Sequence, residues 1–192
     1  ANRGRTDYNF DVRPGVWDEN GGRAHWRGRR PGQPFFGIFS YTTTHESRLR
    51  AAPDFFARLK PEQRHNPDQA PLPPYLPDTI PVRNDWARYH DTITLFDQFD
   101  LPQVRRELDQ DGAAEDTIIF VFGDHGVGLP RAKQFIFEAG MRVPLIIYFP
   151  EKWRHLAPSA PGSVRDEMVS LLDLGASVLS LTGLPLPPEM QG

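Results

Sequence analysis

The stretch of sequence that decides the fold runs from Thr117 to Phe149 and reads TIIFVFGDHGVGLPRAKQFIFEAGMRVPLIIYF. Its two apolar runs, Thr117–Phe122 and Val143–Phe149, have the length and the β-branched and aromatic content of buried strands. Asp124 and His125 follow the first run, in a turn with a glycine on each side. Because open α/β sheets place their chemistry at the carboxyl ends of strands, the stretch predicts a metal or catalytic site there.

Residue patterns on either side of this stretch predict the remaining elements. A short apolar run, Pro34–Tyr41, predicts a buried strand whose carboxyl end emerges at His45. The other predicted elements are a short helix from Asp54 through Lys60, a proline-rich loop over residues 61–81, two helices between Val82 and about Asp109 that result from a break or kink at Pro102, and a helix over Asp173–Leu181 that starts with Asp173 as its N-cap and stops at Gly183. Strands that alternate with helices predict an α/β layered sheet.

Length, charge and cysteine content narrow the class of protein. The 192 residues suffice for one domain with a sizeable core, and the net charge of −3 selects neither nucleic acid nor a membrane surface as partner. No apolar run of about eighteen residues occurs, so no membrane span is predicted. Without cysteine, these residues form no disulfide, thiolate zinc site or cysteine nucleophile. The chain begins without methionine, and we interpret it as a piece of a longer protein.

Three candidate functional groups stand out by residue type and position. Asp124 offers a hard oxygen ligand and His125 a borderline nitrogen ligand to a cation, although both also suit a turn that binds nothing. His45, directly after a predicted strand, suits a general acid or base, or an ordinary surface or packing residue. Lys133, in a loop punctuated by Gly and Pro, suits a point charge for sulfate or phosphate, or a solvated surface residue.

These groups occur in an order that resembles the sulfatase family of the alkaline-phosphatase superfamily. The resemblance rests on Pro34-Phe35-Phe36 followed by Thr44-His45, then Asp124-His125-Gly126, then Lys133, then Arg142-Val143-Pro144-Leu145-Ile146. Through the segment Leu72–Thr79 the chain is most similar to bacterial arylsulfatase-like and heparan N-sulfatase-like proteins. The resemblance covers nearly the whole chain.

The resemblance implies an α/β fold of the alkaline-phosphatase type, a three-layer sheet flanked by helices that is incomplete in this chain. Residues 1–192 would form part of a single sulfatase catalytic domain, with the nucleophile-bearing N-terminal portion outside them. The family nucleophile is a formylglycine made within Cys/Ser-x-Pro-x-Arg, and no such motif occurs here. The paired aspartates that complete the family's metal site are also expected outside this chain.

The resemblance also implies roles for the candidate residues. Asp124 would be a ligand of a divalent cation, and His125 stands where sulfatases usually carry Asn. Calcium is the cation that the family implies, with manganese or zinc as alternatives because they suit an imidazole ligand better. Lys133 and His45 would both contact the sulfate group, Lys133 by stabilising developing charge and His45 by handling a proton of the leaving group.

Three functions remain open from the sequence. The first is metal-dependent hydrolysis of a sulfuric ester or sulfamate on a sulfated small molecule or glycan, with the isolated chain inactive. The second is a phosphodiesterase or phosphonate hydrolase of the same superfamily, which the Asp124–His125 pair favours. The third is a non-catalytic domain that binds sulfated glycans. No nucleic-acid partner is expected, and the resemblance implies export or a periplasmic location.

Overall fold

The polypeptide alternates short strands and helices in the computed structural model, which describes residues 1–4, 11 and 13–192. The chain divides into two units, Ala1–Leu101 and Pro102–Gly192. Arg5, to which the resemblance assigns no role, lies outside the described residues. Among the described helices, none has the length and apolar character needed to cross a membrane.

A small parallel sheet in the first unit pairs the start of the chain with the first predicted strand. Strand β1 is Asn2–Arg3 and strand β2 is Ile38–Phe39, with Asn2 opposite Ile38 and Arg3 opposite Phe39. The strand predicted over residues 34–41 is therefore shortened to two residues, and it is half-buried rather than buried. Its length follows its partner, because ladder hydrogen bonds need a second strand and β1 offers only two residues.

Helices build the rest of the first unit around a small apolar core. They are α1 (Pro53–Phe56), α2 (Ile80–Leu95) and the 3-10 helices Trp26–Gly28, Glu46–Arg50, Pro61–Gln63 and Pro67–Gln69. Phe56, Leu59 and Leu95 form a buried cluster, with Ala51, Phe55 and Phe99 packed against it. This core joins α1 to α2 and so stabilises the segment between them, which the sequence predicted as a loop.

Two helices are present, as the sequence predicts, but they are joined by a π-helical turn and no break occurs at Pro102. A π-helical turn, Phe96–Asp100, follows α2, and α3 (Leu101–Gln110) continues directly from it. Proline has no N–H to donate to the carbonyl four residues back, and its ring crowds that carbonyl. The turn shifts the hydrogen bonding, so that Leu101 N–H donates to the carbonyl of Phe96, five residues back. The helical path thereby accommodates Pro102 without a break.

The second unit contains the two strands predicted from the opening stretch, as an antiparallel pair. Strand β3 is Ile119–Phe122 and strand β4 is Leu145–Tyr148, with Ile119 opposite Tyr148 and Phe122 opposite Leu145. Both are shorter than predicted, and the prediction that they are buried is wrong, because β3 is largely half-buried and β4 mostly exposed, with Ile146 60% exposed. In the described residues no third strand extends this sheet.

Glycine ends two helices as the sequence predicts. After α3, Gly112 has φ +63°, and the N–H groups of Gly112 and Ala113 donate to the carbonyls of Asp109 and Leu108. Gly183 has φ +70° and ends α5 (Leu172–Leu181) in the same way, because the N–H groups of Gly183 and Leu184 donate to the carbonyls of Ser180 and Leu179. This Schellman pattern needs a residue in the left-handed backbone conformation, which glycine adopts without a Cβ clash.

The second unit also contains α4 (Glu138–Met141) and the 3-10 helices Ala114–Asp116 and Glu151–Leu156.

The start of α5 corrects the predicted role of Asp173. The N-cap is Leu171, which provides no side-chain cap, and Asp173 lies inside the first turn. Its carboxylate instead accepts a hydrogen bond of 2.7 Å from the backbone N–H of Ser170. A carboxylate in the first turn still interacts favourably with the positive end of the helix dipole.

Candidate functional site

The turn that carries Asp124 and His125 leaves β3 at its carboxyl end. Phe122 is the last residue of the strand, and Gly123 N–H donates to the carbonyl of Pro144 at 3.2 Å, so the pairing with the neighbouring chain segment continues by one bond. The two candidate ligands therefore start from an anchored backbone. Their location at the strand end agrees with the sequence prediction.

One backbone contact determines which nitrogen of His125 is available. Nδ1 lies 2.8 Å from the carbonyl oxygen of Gly126, and because that oxygen only accepts, Nδ1 carries a hydrogen and donates it. In the neutral ring Nε2 then presents a lone pair. Nε2 lies 3.6 Å from Oδ1 of Asp124, and both side chains are partly open to solvent. A ring held by an Nδ1–H···O=C bond is a common arrangement for a histidine that binds metal through Nε2.

The separation of these donor atoms fits a shared cation. Metal–ligand bonds of roughly 2.0–2.6 Å place two neighbouring ligand atoms about 3–4 Å apart around one ion. A carboxylate oxygen and an imidazole nitrogen accept manganese or zinc readily, and calcium through the oxygen. Within residues 1–4, 11 and 13–192, no three His, Cys, Asp or Glu side chains gather into a metal-binding group. The pair alone is therefore too few ligands for a structural site.

Close backbone packing holds the loop after this pair. Gly126 N–H donates to the carbonyl of Gly140 at 2.9 Å, and a Cβ placed on Gly126 would lie 1.9 Å from the carbonyl oxygen of Ala139. A Cβ on Gly140 would lie 2.3 Å from the carbonyl oxygens of Ala132 and Phe135. Only glycine permits these approaches, so both ends of the loop meet at a fixed separation.

Lys133 lies within this loop between two residues of unusual backbone geometry. Its backbone N–H donates to the carbonyl of Val127 at 2.9 Å, and its neighbour Ala132 is fully buried. Arg131 has φ +68° and Gln134 has φ +72°, in the left-handed region that few residues other than glycine adopt. Such conformations persist only where the surroundings impose them, and they are frequent at functional sites. The loop therefore presents Lys133, which is half-buried, from a constrained backbone.

His45 lies in the first unit and caps a 3-10 helix. Its Nδ1 accepts a hydrogen bond from the backbone N–H of Ser47 at 3.3 Å and lies 2.9 Å from Ser47 Oγ. Nε2 lies 3.2 Å from a carboxylate oxygen of Glu46. An accepting Nδ1 and a carboxylate beside Nε2 both place the proton of the neutral ring on Nε2. The imidazole ring of His45 is exposed to solvent.

A side-chain contact that the sequence analysis missed anchors the segment before His45. Thr43 Oγ1 donates to Oδ2 of Asp100 at 2.5 Å, and Asp100 is the last residue of the π-helical turn. Arg48 holds the same segment from the other direction, because its guanidinium donates to the carbonyl and hydroxyl of Thr42. No periodic pattern relates Thr43 to Asp100, since 57 positions separate them.

The family model for sulfatases matches residues 24–184, and the chain belongs to the sulfatase family. It is 34% identical over 221 residues to an ulvan-active sulfatase of Formosa agariphila, covering all of this chain and 36% of that protein. It is 29% identical over 156 residues to the N-sulphoglucosamine sulphohydrolase of Homo sapiens, covering 81% of this chain and 29% of that protein. The chain thus spans about a third of the length of these relatives.

Proposed function

We propose that this chain supplies part of the active site of a metal-dependent hydrolase that cleaves sulfate esters or sulfamates. Family membership supports the reaction class. The observation that carries the proposal is the Asp124–His125 pair, whose oxygen and nitrogen donors lie 3.6 Å apart at the end of β3. We also propose that residues 1–192 are part of a single catalytic domain, in which the exposed β3–β4 pair extends into a three-layer alkaline-phosphatase-like sheet.

The metal would be held here by Asp124 through a carboxylate oxygen and by His125 through Nε2. When bound, the cation supplies positive charge that stabilises the charge developing on the sulfate oxygens. The family favours calcium, while the imidazole of His125 favours manganese or zinc. The ligands that complete the set, and the formylglycine nucleophile, would come from outside these residues.

Lys133 and His45 would act on the sulfate group and on the departing group. The ammonium of Lys133 would bind a sulfate oxygen as a point charge, from a loop whose backbone is already constrained. His45 holds its proton on Nε2, and that proton would pass to the departing alcohol or amine. Glu46 beside the same nitrogen would stabilise the ring whenever it is doubly protonated.

The substrate is proposed as a sulfated small molecule or glycan. The names of both relatives, an ulvan-active sulfatase and an N-sulphoglucosamine sulphohydrolase, support a saccharide. By the same family argument we propose that the whole protein is exported or periplasmic.

The test uses the whole protein that contains these residues, assayed with an aryl sulfate, a sulfamate and a bis-aryl phosphate. We expect sulfate cleavage that a chelator abolishes, and a loss of about a hundredfold or more in kcat for Lys133→Ala and Asp124→Asn. Asp166→Asn, an exposed carboxylate of the same unit, is the matched control. Preferential cleavage of the phosphate diester would support the phosphodiesterase instead, and sulfated-glycan binding without any turnover would support the non-catalytic domain.

The variant His125→Asn tests the metal ligand separately. If Nε2 of His125 binds the cation, replacing the imidazole by an amide oxygen donor is expected to move the preferred cation from manganese or zinc towards calcium. The readout is the affinity of the chelator-treated whole protein for each cation. Unchanged affinities for all three cations would contradict a ligand role for His125.

A further inference from the structure

A groove in the first unit lies between α2 and the segment over residues 53–67. Its volume is about 770 Å³, within the range of roughly 300–1,000 Å³ that is usual for small-molecule sites. Asn84, Arg88 and Asp91 line one wall from a single face of α2, at helical spacing. Arg64 and His65 line the other, and apolar and proline side chains complete the groove.

The carboxylate in this groove is already satisfied by the protein. The side chain of Asp91 is almost completely buried, with only 3% of its surface exposed. Its Oδ2 accepts from Arg64 Nε at 2.8 Å, and its Oδ1 accepts from the backbone N–H of His65 at 2.8 Å and lies 3.0 Å from His65 Nδ1. Asp91 and Arg64 therefore neutralise each other, and neither oxygen is left to attract a cationic ligand.

Arg88, on the same α2 wall as Asp91, carries a positive charge that no carboxylate in the groove lining neutralises. One of its N–H groups donates to the carbonyl of Ala51 at 2.7 Å, and its guanidinium lies 4.8 Å from the ring centre of Phe56. In the described part of the chain it forms no ion pair. A guanidinium has five N–H donors, so several remain for a ligand in a planar, fixed arrangement. The packing on Phe56 limits the rotamer freedom that binding would otherwise remove.

We propose that this groove binds a saccharide unit that carries a carboxylate or sulfate, with Arg88 contacting the acidic group. The proposal rests on the proposed function in one respect, namely that the substrate is an anionic glycan, and it assigns a contact to a part of the substrate other than the transferred sulfate. The planar polar groups of Arg88, Asn84 and His65 match sugar hydroxyl and acidic oxygens. Arg88 also links the groove to the catalytic candidate, because Ala51 caps the 3-10 helix that His45 begins.

The experiment measures binding of oligosaccharides by calorimetry to the whole protein that contains these residues. The probes are a heparin tetrasaccharide for sulfate, tetragalacturonate for carboxylate, and maltotetraose as the neutral match. We expect binding of at least one acidic probe, no binding of the neutral one, and a loss of about tenfold or more in affinity for Arg88→Met. Arg50→Met removes the same charge from an exposed position outside the groove lining and is expected to keep wild-type affinity.

Arg88→Met also loses the hydrogen bond to Ala51, so a second variant is used to separate loss of the charge from loss of folding. Asn84→Asp adds a negative charge to the groove without touching that bond and is expected to weaken acidic binding by a similar factor. Equal affinity of wild type, Arg88→Met and Asn84→Asp for the acidic probes, or equal binding of maltotetraose, would overturn the proposal. Hydrolysis of a small aryl sulfate by the whole protein is scored separately, so loss of the groove and loss of the proposed function give different results.

Discussion

At the scale of single residues, His45 and His125 are held as opposite tautomers. His125 donates from Nδ1 to a carbonyl, whereas His45 accepts at Nδ1 from an N–H. The lone pair of His125 is therefore on Nε2, as a metal ligand requires, and the proton of His45 is on Nε2, as a proton donor requires. We predict that a long-range ¹H–¹⁵N spectrum at about pH 8.5 shows the hydrogen on Nδ1 of His125 and on Nε2 of His45. The reverse assignment for either ring would contradict its proposed role.

Gly126 permits a test of the packing beneath the candidate site. A Cβ there would lie 1.9 Å from a backbone oxygen, so Gly126→Ala forces the loop to move. We expect a loss of roughly 1–3 kcal/mol in the free energy of unfolding, as for other overpacking changes, measured by urea denaturation. Gly123→Ala is the control in the same turn, since its nearest contacts would be ordinary ones at 3.5 Å. Equal stability of the two variants would show that the close approach is not maintained in solution.

His90 should make stability depend on pH. Burial lowers its pKa, and the neighbouring His65 lowers it further while Asp91 opposes them. In the described residues its Nε2 is buried without a hydrogen-bond partner. Below pH 6.5, the ordinary pKa of a histidine side chain, the unfolded state binds more protons than the folded state. The contribution of His90 to the free energy of unfolding is therefore fully present above that pH and decreases as the pH falls through it. The pKa of His90 thus predicts that the unfolding free energy of wild type falls more than that of His90→Gln between about pH 7.5 and pH 5.

The control for this measurement is His155→Gln, which replaces an exposed histidine of the second unit. It should keep the wild-type pH dependence. If His90→Gln also follows the wild-type curve, the imidazole of His90 does not contribute through its burial.

At the scale of elements, the π-helical turn connects the helices to the His45 segment. The turn ends at Asp100, whose carboxylate accepts from Thr43. We predict that Thr43→Val costs roughly 1–3 kcal/mol of unfolding free energy, because it removes a hydrogen bond to a charged group and leaves that carboxylate without the donor. Thr43→Ser keeps the hydroxyl and should restore most of the loss. Thr44→Val, at the exposed neighbouring position, should be close to neutral in the same denaturation measurement.

The elements also differ in how far the sequence predicts them. Gly112 and Gly183 mark the ends of α3 and α5 correctly because the left-handed cap is a local requirement. The response to Pro102 is not local, since a missing N–H can produce a break, a kink or a π-helical turn, and packing selects among these. The exposure of β4 likewise depends on packing between segments that lie far apart in sequence, which a local pattern does not encode.

At the scale of the whole molecule, the 192-residue chain by itself should not turn over substrate. The proposed metal pair offers two ligands, and no Cys/Ser-x-Pro-x-Arg motif is present to supply the family nucleophile. We predict no metal-dependent hydrolysis of an aryl sulfate by the purified chain, measured beside the whole protein under the same conditions. Robust turnover by the chain would show that a nucleophile and a complete metal site exist within these residues.

Residue patterns alone were enough to assign the family, the two strands on either side of Asp124 and His125, and the location of this pair at the end of a strand. These follow from local residue patterns and from motifs kept in order along the chain. The tertiary structure alone decided the tautomers of His45 and His125, the left-handed residues on either side of Lys133, and the Thr43–Asp100 bond. The Thr43–Asp100 bond joins groups 57 positions apart, which no local pattern relates. The ring contacts of His125 and His45 reach only one and two positions along the chain, but packing selects the backbone conformation that makes them, and residue type alone does not encode that choice.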